Sequence, residues 1–194
     1  MRKSREEAAR TRERIIEAAG QEFRRNGIAA TGLAGLMASA GLTHGGFYKH
    51  FGSKEELVRE ACVRSMNGVL DALVERIEQE PPPARLRALL SAYLSTAHRD
   101  DPGRGCGLAA LSEELARGDD TTRAETTDYF RRLVNTIAGY LPDPGHPDAN
   151  AKAQSIAAAM VGAMSVARAL NDPALSAQLL ESSRQTLLQL AGAA

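Results

Sequence analysis

Between Thr31 and Phe51 the chain runs Thr-Gly-Leu-Ala-Gly-Leu-Met-Ala-Ser-Ala-Gly-Leu-Thr-His-Gly-Gly-Phe-Tyr-Lys-His-Phe. Its polar members, Thr31, Thr43, His44, Tyr48, Lys49 and His50, with Lys54 shortly after, are hydroxyls, imidazoles and amines. Groups of this kind position a protein on phosphates, and a few of them read base edges. Gly45 and Gly46 place no side chain between the backbone and a groove. Nowhere does the chain show a nucleophile–base pair, a phosphate-binding glycine loop or a zinc-ligand spacing. The residues therefore point to recognition rather than catalysis, with no cofactor and no metal expected.

Such a face needs a rigid support, and the flanking pattern provides for one. The spacing predicts a first helix over residues 6–26, with Ile15, Ala18, Ala19 and Phe23 on one face. Gly27 follows as a stop. Thr31 is expected to cap a short helix whose inward residues are Leu33, Leu36, Met37 and Ala40. Gly32 and Gly35 weaken that helix, and the sequence does not explain them. Gly41 is placed for a left-handed turn, with Leu42 packing back. Thr43 then opens a second short helix reaching Phe51, with Phe47 and Phe51 inward and His44, Gly45, Tyr48 and Lys49 outward. Two short helices at a fixed angle are a common way to enter the DNA major groove. Ser53-Lys54-Glu55-Glu56 is a capping box that begins a long helix to about residue 80. Lys54 is poorly placed against that helix's dipole, which favours a phosphate as its partner.

Pro81-Pro82-Pro83 closes the long helix. Beyond it the apolar periodicity predicts helices over residues 84–98, 106–117, 119–140, 148–170 and 173–189, separated by loops rich in Pro, Gly and Asp. In the last pair, Ile156, Ala157, Met160, Val161 and Met164 form one stripe. Leu175, Leu179, Ser183, Leu187 and Leu190 form the other.

The chain of 194 residues has zero formal net charge, but the charge is unevenly spread. Residues 1–54 hold ten Arg or Lys against five Glu, a net of +5, which leaves a mildly acidic body. Arg2, Lys3 and Arg5 form a basic start that could follow an adjacent groove. Two cysteines, Cys62 and Cys106, make no disulfide framework. The first residues lack an apolar signal core and no stretch has the length and apolarity of a membrane span, so a cytoplasmic location is expected.

On Thr31, Ala40-Gly41-Leu42-Thr43, Gly45, Phe47-Tyr48-Lys49-His50-Phe51 and Ser53-Lys54-Glu55, residues 11–60 resemble the DNA-binding domain of the TetR family of bacterial transcription regulators. The resemblance implies an all-α fold, with a three-helix helix-turn-helix domain over residues 1–54. A larger helical domain for effector binding and dimerisation would occupy residues 55–194. It also implies phosphate contacts from Thr31, Tyr48 and Lys54, base approach by His44, Gly45 and Gly46, and Lys49 and His50 near base edges or backbone. In related regulators the effector cavity would be lined by residues in the positions of Leu89, Tyr93, Cys106, Leu111, Phe130, Met160 and Met164. The last two helices would pair with their mates in a homodimer, which suits a palindromic operator with half-sites about 34–36 Å apart. The function implied is an effector-released repressor. Two alternatives stand beside it. Cys106, near a helix start and beside Arg104, would serve a redox or electrophile sensor. A helical small-molecule-binding protein without an operator is the other.

Overall fold

The structure is a computed structural model that describes the backbone of residues 2–193 and the side chains of residues 5–193. Among the described residues there are nine α-helices, joined by turns and three short 3₁₀ segments. α1 (Arg2–Asn26) and α2 (Leu33–Ser39) lead into a 3₁₀ segment, His44–Lys49, and then into the long α3 (Lys54–Ile77). After the prolines come α4 (Arg85–Tyr93), α5 (Thr96–Asp100), α6 (Gly107–Ala116), α7 (Asp120–Gly139), α8 (Ala149–Ala169) and α9 (Pro173–Ala191). The all-α expectation is met, and none of these helices is long and apolar enough to cross a membrane.

The front of the molecule closes around Ile15, Ala19, Phe23, Leu36, Met37, Phe47 and Phe51, all buried. The Phe47 and Phe51 rings stack at 5.6 Å. Gly27 and Gly41 both take positive φ, 82° and 71°, which is where a Cβ would be strained. The expected cap at Ser53 is present: its Oγ accepts from Glu56 N–H at 3.2 Å. Glu56 reaches back to the Gly52 N–H at 2.7 Å.

Three expectations are corrected. The Gly32 position, not Thr31, precedes α2, and no side chain caps it. The segment after Thr43 is 3₁₀ rather than a full α-helix to Phe51. Two adjacent glycines make α-helix costly there, and Gly46 N–H bonds to the Thr43 carbonyl at 2.9 Å, a three-residue step. The helix expected over residues 84–98 breaks at Leu94, where ψ is 58° and Ser95 caps a new short helix by accepting from His98 N–H. On α9 the face buried within the chain is Ser176, Leu180, Leu187, Leu188 and Ala191, and Leu175 and Leu190 of the apolar stripe stay exposed, as a face reserved for a partner copy requires.

The two ends of the molecule are tied at three places. Arg12 on α1 bonds Glu60 on α3 with two 2.5 Å contacts and lies 4.5 Å over the Phe51 ring. Glu114 on α6 accepts from the backbone N–H groups of Ile28 and Ala29, at 2.8 and 2.9 Å. Arg24 on α1 donates to the Gly103 carbonyl through Nε, at 3.0 Å, and through its second amino group.

Candidate DNA-binding face and effector cavity

Burial of Phe47 forces its neighbours outward. Thr43, His44, Gly45 and Lys49 are exposed, and Tyr48 is 66% exposed, a large apolar ring left in water. His44 and Tyr48 meet edge to face at 6.4 Å. Gly46 and His50 are half-buried. A Cβ on Gly45 would touch nothing within 4 Å, and one on Gly46 would meet only Met37 Cε and Thr43 Oγ1 at 3.8 Å. The fold itself does not require these glycines. Open space also surrounds Gly32 and Gly35, so no neighbouring helix of this chain explains them.

Two expected phosphate contacts are engaged inside the chain. Thr31 is buried and its Oγ1 donates to the Gly27 carbonyl at 2.6 Å. Lys54 Nζ donates to the carbonyls of Ile28 and Thr31 at 3.0 and 2.7 Å. Both fasten the turn between α1 and α2. The first-turn cation of α3 is explained by these carbonyls without invoking DNA. Arg5 is exposed on α1, whose backbone is helical from Arg2. The side chains of Arg2 and Lys3 lie outside the described residues.

A cavity of about 480 Å³ opens in the body between α3, α4, α5 and α7. Leu70, Leu73 and Leu133 give it apolar walls, and Tyr93, Cys106 and Tyr129 a polar inner end. Of the seven residues expected to line an effector pocket, Tyr93 and Cys106 do so. Leu89, Leu111, Met160 and Met164 are buried in the surrounding core, and Phe130 packs half-buried against it. A helical stripe in sequence does not distinguish core from cavity wall; only the separation of neighbouring helices does.

The polar end is short of acceptors. Cys106 Sγ lies 3.6 Å from Tyr129 Oη, and Tyr93 Oη is buried with no hydrogen-bond partner. Burial, with Cys106 nearby, pushes both phenols well above the usual tyrosine range, so they stay protonated donors. His98 is held in one tautomer. Its Nδ1–H donates to the Tyr93 carbonyl at 2.7 Å and its Nε2 accepts from Cys106 N–H at 2.9 Å. Burial lowers its pKa. Cys106 itself is 1% exposed and precedes α6, while Arg104 turns away to Asp101 at 2.7 Å. The arginine expected to activate the thiol is therefore engaged elsewhere. Cys62 is plain core, its thiol pushed up to about 12 by burial.

Sequence reasoning missed Glu114, Arg12, Tyr129 and His98. A glutamate inside an amphipathic helix and a histidine in an expected helix end carry no local signal; their partners are 86, 48, 23 and 8 residues away.

An exposed aromatic and basic segment on a three-helix support, joined to a helical body with a cavity, defines a helix-turn-helix regulator. Comparison with known proteins names the family. Residues 15–61 match the family described as bacterial regulatory proteins, tetR family. Residues 82–179 match the C-terminal domain of LmrA/YxaF-like transcriptional regulators. The chain belongs to the TetR family of transcriptional regulators, a class of DNA-binding proteins rather than enzymes.

Among curated relatives, the HTH-type transcriptional regulator TtgR of Pseudomonas putida is 42% identical over 80 residues, covering 41% of this chain and 38% of that protein. The HTH-type transcriptional repressor DhaR of a Mycobacterium species is 28% identical over 125 residues, covering 63% and 61%. The matches thus span less than two thirds of these relatives. The fold is shared with a TetR-family regulator from Agrobacterium tumefaciens, with a TM-score of 0.77, 22% identity and coverage of 94% and 97%. It is shared also with the reduced form of Escherichia coli NemR, with a TM-score of 0.76, 21% identity and coverage of 91% and 94%.

Proposed function

We propose that this protein is a dimeric transcriptional repressor that binds a palindromic operator and is released when an effector enters the cavity between α3, α4 and α7. The observation that carries the reading is α6. It begins directly after Cys106 on the cavity wall and ends in the helical turn bearing Glu114, which holds the α1–α2 turn of the helix-turn-helix module. An effector that displaces the start of α6 moves the support of the recognition segment. Operator release then follows if the effector prefers the displaced state. His44, Gly45, Gly46 and Lys49 approach bases, while Tyr48, Thr43 and His50 contact backbone or neighbouring edges. Thr31 and Lys54 position the turn behind them. The division into a DNA-binding unit, residues 1–54, and an effector and dimerisation unit, residues 55–194, belongs to the same reading.

Dimerisation through α8 and α9 is supported by the outer face of α8. Ser155, Ala159, Gly162 and Val166 are a small, uncharged row at helical spacing: the first three are exposed and Val166 is 51% exposed. A partner helix can approach such a row closely, and Leu175 and Leu190 flank it with further apolar surface.

The experiment is selection of the purified protein on a randomised duplex-DNA library, followed by affinity at several salt concentrations. A palindrome with half-sites about one helical turn apart is expected. Only unselective retention that falls steeply with salt would overturn operator recognition.

A second reading, a thiol-switched repressor, is favoured by one observation: Cys106 stands on the wall of the cavity, where its 1% exposure means that the wall must open for a reagent to meet the thiol. Cys106→Ser is then expected to keep operator affinity and lose the response to an alkylating agent. An unchanged response would remove the thiol from the mechanism.

A further inference from the structure

A second cavity, of about 590 Å³, lies where α1 meets α6 and the corner between α8 and α9. Four arginines border it, Arg24, Arg25, Arg99 and Arg168, against a single acid, Asp100. Two of the four are neutralised. Arg99 pairs with Asp100 at 2.7 Å and donates to Ser176 Oγ at 3.0 Å, and Arg25 lies 3.8 Å from Asp101 and 4.0 Å from Glu22. Arg24 and Arg168 make no ion pair among the described residues. Arg24 is 6% exposed, gives Nε and one amino group to the Gly103 carbonyl, and leaves its other amino group, Nη1, buried without a partner. Arg168 gives Nε and Nη2 to the carbonyls of Arg99 and His98, and its Nη1 is also buried and unpartnered. Burial is the main influence on both guanidinium groups and acts against their charge. A buried cation with an unfilled donor is unstable until an anion meets it, and guanidinium donors match a carboxylate.

We propose that this cavity binds an organic carboxylate, its charge met by the guanidinium groups of Arg24 and Arg168, which turn to bring their buried, unpartnered Nη1 donors to its oxygens, and its apolar body lying against Ala109, Ala110, Leu170 and Pro173. The site is separate from the cavity lined by Tyr93 and Cys106, and it does not depend on operator binding. An anion held by both arginines ties α1 of the front module to α8 of the body. The loop between them is already clamped: a Cβ on Gly105 would lie 2.6 Å from Arg168 Nη2 and 2.6 Å from His98 Nε2.

The test is calorimetric titration of the full chain with benzoate and with inorganic phosphate, at fixed pH and ionic strength with chloride as balancing ion. Benzoate is expected to bind saturably at one per chain, at least tenfold tighter than phosphate, because half of the wall is apolar. Arg168→Met and Arg24→Met are each expected to weaken it at least tenfold. Arg168 is the less buried of the two, and circular dichroism of its variant checks that the fold survives. The proposal is overturned if neither probe binds, if phosphate binds as tightly as benzoate, or if folded Arg168→Met keeps full affinity. It is also overturned if Tyr93→Phe, in the other cavity, abolishes benzoate binding while Arg168→Met does not.

Discussion

His98 shows how much one side chain can be asked to do. Its ring joins the end of α4 to the start of α6 through one donated and one accepted hydrogen bond, which requires the neutral form. Burial holds its pKa below the ordinary value near 6.5. Between that lowered value and about 6.5 the unfolded chain binds more protons than the folded one, so stability rises with pH across the window. The contribution is fully present above about pH 6.5 and is lost as pH falls through the folded-state pKa. Thermal melts between pH 7.5 and 5 are expected to fall more steeply for the native protein than for His98→Gln. Parallel curves would show that another group sets the acid sensitivity. At the same scale Gly107 is required by contact rather than by backbone angle, since a Cβ there would sit 2.5 Å from Met66 Cγ.

Among the elements, α6 packs against α1 at the front and against α3, α7 and α8 in the body. Glu114 accepts two backbone N–H groups of the α1–α2 turn, and removing it leaves both without that acceptor. Glu114→Ala is expected to cost about 1–2 kcal/mol in urea denaturation. If α6 relays the effector, the same variant should also show a smaller effector-induced change in operator affinity. A variant with normal stability and a normal effector response would show the bridge to be incidental. The 3₁₀ geometry of the recognition segment belongs to this scale too. Its aromatic spacing was legible in the sequence because Phe47 and Phe51 must be buried together. Its helix type was not, because two glycines leave the backbone to be decided by packing.

For the whole molecule, the uncharged row on α8 has room for a partner but no covering from its own chain. Gly162 has nothing within 4 Å of where a Cβ would stand. Gly162→Arg is therefore expected to fold as well as the native chain while shifting it from dimer to monomer in sedimentation. Operator affinity should fall at least about tenfold as two tethered half-sites become one. A Gly162→Arg protein that still sediments as a dimer would place the interface elsewhere.

The local features of the front module could be read from the residues. Its α2 and 3₁₀ segments are short and its buried aromatics are four apart. Its two left-handed turns carry glycine, and its capping box is local. All of these act over one or two helical turns, where spacing along the chain is spacing in space. Thr31 and Lys54 mark the limit of that reading. Their types fit phosphate, and only the path of the α1–α2 turn brings carbonyls within reach to claim them first. In the body the helices could be read, but the cavities between them could not. Leu89, Met160 and Met164 have the same spacing whether they meet a neighbouring helix or an open space. The orphaned donors of Arg24 and Arg168, and the span of α6 from cavity to turn, arise between residues 79 or more apart or on different helices. Local sequence sets periodicity, caps and turns through nearest-neighbour sterics. Cavities and unpaired charges depend on how far apart packed helices come to rest, and only the tertiary structure decides that.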